Sequence, residues 1–114
     1  HLLLENNPKG VDPLSPDNRF IITLGPVSDT VIPGSSRYGI FTKSPLTEIY
    51  SESYAGGHVA DPMSRAGYDA IILEGASSRP VYLEITDEEV IFHEAEHLWG
   101  KNTYETEDTV KEEI

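Results

Sequence analysis

The apolar residues of this chain come in short runs, and turn signals interrupt them before a long helix can form. Phe20 to Leu24 ends at Gly25-Pro26, and Arg37 to Thr42 alternates Tyr38, Ile40 and Thr42 against Gly39 and Phe41 until Ser44-Pro45 breaks the pattern. Both read as strands, as does the apolar Asp69 to Glu74 segment, and Phe20 to Leu24 and Asp69 to Glu74 are expected to be buried. Pro80 to Thr86 and Val90 to His93 flank Asp87-Glu88-Glu89 as a hairpin, with Val81, Leu83 and Ile85 on one face and Tyr82 and Glu84 on the other. Glu48 to Tyr54 fits either strand or loop and is read as extended, with Ile49, Ser51 and Ser53 on one face. The helix signals are brief. Asp61 is predicted to cap a short helix over Pro62 to Ala66 that Gly67 closes, and Thr103 to cap a C-terminal helix with Val110 and Ile114 on one face. Strands outnumbering helices predict an α+β fold, a mostly antiparallel β-sheet domain with a few short helices.

Length and charge limit what such a domain does. A chain of 114 residues is read as one domain, residues 1–114, with a single core. His1 to Glu5 reads as the last turn of a helix stopped by Asn6-Asn7-Pro8, and the final helix runs to Ile114 without a cap, so the chain is expected to be truncated at both ends. Eight Lys plus Arg against twenty Asp plus Glu give a net charge of −12, which repels nucleic-acid phosphates and anionic lipids. Neither nucleic acid nor a membrane surface is expected as a partner. The apolar runs fall far short of the roughly 20 residues of a bilayer span, and no leader pattern is seen. The expected localisation is cytoplasmic. With no cysteine, the chain offers no disulfide, thiolate nucleophile or iron–sulfur ligand.

In so acidic a chain, Arg37 and Lys43 stand out upstream of Gly56-Gly57. Glycines ahead of a helix start let backbone approach a ligand, the first-turn N–H groups attract anions, and Arg37 adds a bidentate donor. The same Gly-Gly pair is compatible with a plain tight turn, and Asp61 at the cap competes with an anion. His93-Glu94-Ala95-Glu96-His97 matches the H-E-x-x-H zinc pattern, but the motif works on a helix, whereas Val90-Ile91-Phe92 reads as strand and Gly100 follows closely. A polar strand end and loop, with Leu98 and Trp99 packed on the core, is the alternative. Asp87 to Glu89 and Glu105 to Glu113 read as turn and solvated helix face, and Ser35-Ser36 lacks a nucleophile elbow.

At these residues the sequence resembles the N-terminal domain of the tungsten-containing aldehyde ferredoxin oxidoreductase family. The blocks VDPLSPDN, RYGIFTKSPLT, AGG, AGYDAIILEG, RPVYLEI, HLWGK and TYETED carry the resemblance in order along nearly the whole chain. It implies half of the bed for tungsten (or molybdenum) held by two pyranopterins, with magnesium bridging their phosphates and a 4Fe-4S cluster ligated by other domains. It implies that Arg37 contacts the pterin, that Gly56 makes a backbone contact flanked by Ala55 and Gly57, and that Tyr54, where the family usually has asparagine, offers its carbonyl to the magnesium. No catalytic residue is assigned here. Glu48 and the Asp61 to Arg65 segment also depart from the family pattern, which leaves aldehyde, carboxylate or aromatic thioester substrates open. The implied partners are the remaining domains of one polypeptide, ferredoxin, a small aldehyde and a second copy in a homodimer. A cofactor-free interaction domain and a small zinc hydrolase using His93, Glu94 and His97 are the competing readings.

Overall fold

The computed structural model describes residues 1–26 and 28–114. In chain order it holds α1 (Leu2–Asn6), β1 (Phe20–Leu24), β2 (Tyr38–Lys43), β3 (Tyr50–Ala55), α2 (Ala60–Arg65), β4 (Ala70–Leu73), β5 (Val81–Ile85), β6 (Val90–Glu94), a short 3-10 turn (Glu96–Leu98) and α3 (Thr103–Glu113). The fold is α+β with every strand pairing antiparallel. The chain divides into two compact units, His1–Ala76 and Ser77–Ile114.

The first unit is a four-stranded sheet in the order β3-β2-β1-β4. Its register sets Ile21 opposite Phe41 on one side and Ile72 on the other, so these three share a face. Ile21 is 1% exposed, and with Leu3, Val11, Ala60 and Met63 it forms the core of this unit. The sequence marked β1 and β4 as buried strands, but Phe20 and Ile72 are each 38% exposed. Ile72 lies on β4, an edge strand with no neighbour on its outer side. Asn18 clips the turn-rich approach to the sheet, its amide donating to the carbonyls of Pro13 and Lys43 and its oxygen accepting from Asn7. That satisfies backbone groups which neither the loop nor β2 pairs otherwise.

Two local expectations are corrected in this unit. The ambiguous stretch is a strand, but it starts at Tyr50, because Glu48 turns the chain at φ 59° and Ser44 Oγ accepts from the Leu46 and Thr47 amides. Asp61 does not cap α2. The helix begins two residues earlier, at Ala60 with Val59 at the N-cap, and Asp61 Oδ1 instead accepts the Asp29 amide at 3.2 Å. Pro62 still falls in the first turn, where its missing N–H removes no helical bond.

The second unit is the β5–β6 hairpin followed by the 3-10 turn and α3. Asn102, not Thr103, caps α3: its side chain accepts from the Glu105 amide at 2.9 Å while Glu105 reaches back to the Asn102 amide, a complete capping box. Leu98 is buried but Trp99 is 79% exposed, so only the first of the pair expected on the core is there. Trp99 is the extended C-cap of the 3-10 turn, and the change of backbone direction at this residue turns its ring outward.

One polar network spans this unit. Tyr82 lies stacked on the His93 ring at 4.7 Å, His93 Nε2 meets Glu84 Oε2 at 2.7 Å, and the Tyr82 hydroxyl donates to Glu113 at 2.7 Å. The Glu113 carboxyl is held below the usual carboxylate range first by that hydroxyl and then by His97. A carboxyl depressed in the folded state contributes stability that is complete above the unfolded pKa, about 4.3, and lost as pH falls through the folded value. Tyr82→Phe is therefore expected to move the Glu113 titration midpoint upward in side-chain carbonyl NMR; an unchanged midpoint would show that the bond is not populated in solution.

Candidate cofactor and anion site

The β2–β3 pair gathers the predicted site residues at one end. Its register places Tyr38 opposite Ala55 and Gly39 opposite Tyr54, so Arg37 and the Gly56-Gly57 pair leave the ladder side by side. Ser36 Oγ donates to the Gly57 carbonyl at 3.1 Å and ties the two departing segments together. Arg37, Tyr54, Gly39 and Ser35 line a concavity of about 330 Å³. That volume falls at the small end of the range for ligand pockets, about 300–1,000 Å³.

Arg37 differs from the other arginines. Arg19 lies 3.1 Å from the Glu74 carboxylate, although without hydrogen-bond geometry at Nε. Arg65 pairs with Asp29 at 2.7 Å, and Arg79 lies 3.9 Å from both Glu94 and Glu96. The Arg37 side chain is exposed and has no hydrogen bond or ion pair among the described residues. In a chain of net charge −12, a guanidinium left without a carboxylate is free to meet an external anion. Lys43, the other cation singled out by the sequence, is not beside it. It ends β2 at the far side, about 19–20 Å away at about 3.2–3.4 Å per strand residue, and its Nζ donates to the Val11 carbonyl at 2.5 Å. It lies on a separate, mainly apolar groove of about 750 Å³ with Leu3, Val11 and Ile49.

Gly39 was not singled out by the sequence reading, yet it shapes the site. A Cβ there would lie 2.7 Å from the Phe41 ring and 3.1 Å from the Tyr54 ring. The absence of a side chain lets Tyr54 lie over the sheet with its ring edge-to-face against Phe41, centroids 5.9 Å apart. The signal was present in the sequence as a glycine inside an otherwise alternating strand, a mark of close approach. Gly39→Ala is expected to displace both rings at a cost of about 1–3 kcal/mol, in line with overpacked sites. Urea denaturation of the 114-residue chain measures it, and a midpoint equal to the parent's would refute the crowding.

The backbone of Tyr54 is also placed by the ladder. Leu24 N bonds Asp69 O towards β4, so by alternation Thr23 bonds Gly39 across to β2, and Gly39 is spent on β1. Its partner Tyr54 therefore sits at a non-hydrogen-bonded position, with N–H and C=O directed to the free edge of the sheet. Gly57, at φ 85°, has nothing within 4 Å of where a Cβ would stand, so backbone is accessible there. An unpaired guanidinium, open glycine backbone and an outward carbonyl together suit a phosphate with its metal ion.

One expected contribution is absent. Gly56-Gly57 does not lead straight into a helix; His58 and Val59 intervene, and α2 is only six residues long, too short for its dipole to define an anion site. The Tyr50 hydroxyl, bonded to Glu52, is pushed up to about 12 chiefly by that bond, and the Tyr54 hydroxyl is raised by lost hydration and then by the Glu52 charge.

The H-E-x-x-H residues do not make its helical geometry. His93 and Glu94 finish β6 while His97 lies in the 3-10 turn, where its Nε2 meets Glu113 at 2.5 Å. Among the described residues, no group of three or more histidine, aspartate or glutamate side chains converges as a metal site.

The family model for the aldehyde ferredoxin oxidoreductase N-terminal domain matches residues 1–114. The chain belongs to this family. It is 44% identical over 114 residues to a tungsten-containing aldehyde ferredoxin oxidoreductase of Pyrococcus furiosus, covering 100% of this chain and 19% of that protein. A protein of the same name from Thermococcus kodakarensis is 46% identical over 113 residues, 99% of this chain and 18% of the relative. The chain thus spans about a fifth of the length of the curated relatives it matches. Among solved structures, the active site complex BamBC of benzoyl coenzyme A reductase, in complex with 1,5-dienoyl-CoA, matches with a TM-score of 0.94 and 38% identity, covering 98% of this chain and 17% of that one. Among the described residues, no helix is long and apolar enough to cross a membrane.

Proposed function

We propose that this chain is the N-terminal cofactor-binding domain of a longer tungstopterin oxidoreductase that oxidises aldehydes to carboxylic acids and passes the electrons to ferredoxin. The observation that supports it most is the Arg37 guanidinium, unpaired in an acidic chain and set on one concavity with Gly39 and Tyr54 beside the Gly56-Gly57 backbone. Arg37 would neutralise a pterin phosphate, Ala55, Gly56 and Gly57 would let the backbone approach it, and the outward Tyr54 carbonyl would help hold the magnesium. When bound, the tungsten–dithiolene centre supplies the two-electron chemistry, and the protein supplies position and charge. The 4Fe-4S cluster takes its ligands from the rest of the polypeptide, since this segment has no cysteine. A cytoplasmic homodimer is the proposed setting.

The test is tungsten and molybdenum analysis, with fluorescence of the oxidised pterin, on the polypeptide encoded by the complete reading frame. Stoichiometric metal and two pterins per metal are expected; finding neither metal sinks the proposal. The likeness to a benzoyl-CoA reductase complex favours a second substrate reading, an aromatic thioester. Reduction of a viologen dye by aldehydes but not by 1,5-dienoyl-CoA decides for the first reading, and the converse for the second.

A further inference from the structure

We propose that the Tyr54 ring is itself a binding face of the site, a flat wall against which the pyrimidine ring of the pterin whose phosphate meets Arg37 is held. This rests on the cofactor reading above and goes beyond it, because it assigns a contact to the side chain and not only to the carbonyl. A ring on an edge strand often packs on its neighbours alone, and the geometry here is more specific. Gly39 directly opposite removes the one Cβ that would push the ring off the sheet, Phe41 meets it edge-to-face, and Glu52 accepts from its hydroxyl at 3.4 Å. These contacts fix the ring, yet Tyr54 remains 58% exposed and lines the same concavity as Arg37. A held, half-open aromatic ring beside an unpaired cation suits a ligand that joins a flat heterocyclic ring to an anionic group. Stacking of a heterocycle on an aromatic side chain slows its release by about ten- to a hundredfold relative to an aliphatic replacement.

The experiment uses the polypeptide of the complete reading frame and follows pterin per chain and the rate of pterin release after dilution. Tyr54→Phe is expected to release at the parental rate and Tyr54→Leu about ten- to a hundredfold faster. Tyr54→Gln is made in parallel, so that if the leucine variant does not fold, the glutamine and phenylalanine variants give the comparison. Tyr54→Trp supplies a readout that packing alone would not move: its emission, taken as the difference from the parent containing Trp99, should be quenched while pterin is bound and recover as pterin leaves. Aliphatic and amide variants that release at the parental rate, with an indole emission indifferent to pterin, overturn the proposal and leave the cofactor reading standing. A parental protein without pterin overturns both.

Discussion

Arg37→Ala is expected to weaken pterin retention in the complete polypeptide by about ten- to a hundredfold while leaving the fold unchanged. The magnitude follows from a charge-assisted hydrogen bond, about 1.5–3 kcal/mol, and the selectivity follows from the side chain's position. Arg37 is exposed and touches no carboxylate among the described residues, so its removal breaks nothing that holds the sheet together. Arg37→Lys should recover part of the loss, because an ammonium keeps the charge but not the bidentate fork. The effect should shrink as salt rises, since an exposed charge is screened over about 8–10 Å. Pterin content and thermal melting of the same preparations measure it. Full pterin retention in the alanine variant would remove Arg37 from the site.

Ile21→Ala is the change expected to cost most stability, about 2–5 kcal/mol for a buried isoleucine truncated to alanine. Ile21 is 1% exposed on an interior strand and faces Phe41 and Ile72 from directly opposed positions. Ile72→Ala, on the edge strand and 38% exposed, should cost clearly less. Hydrogen exchange of the β1 and β2 amides reports the loss in this unit. A cost at Ile72 equal to that at Ile21 would mean that the two flanks of β1 are equally covered in solution.

Strand positions were legible because period-two alternation and Gly or Pro punctuation are local signals, and they returned β1, β2, β4 and the β5–β6 hairpin within a residue or so. Caps were less legible. Asp61 and Thr103 each had the right chemistry, but Asp61 was claimed by the Asp29 amide, and the Asn102-x-x-Glu105 spacing offered α3 a reciprocal box that Thr103 lacks. Which half of an apolar segment stays exposed was also hidden. Phe20 and Ile72 look like core in a string of letters, yet each is 38% exposed, Ile72 on the edge strand β4.

The candidate site divides the same way. By itself the sequence determined that a chain of this acidity keeps few cations, that glycines at 56 and 57 open the backbone, and that the ordered blocks belong to one family, because composition, local conformational freedom and block order are properties of the chain read in line. Only the tertiary structure decided that, of the two cations the sequence singled out, Arg37 has no side-chain partner among the described residues while Lys43 is spent on Val11, that Gly39 makes room for Tyr54, and that the Tyr54 carbonyl points to an open edge. Those facts depend on strand register and edge position. Both are set by pairings between residues distant in the chain, which no local stretch of sequence specifies.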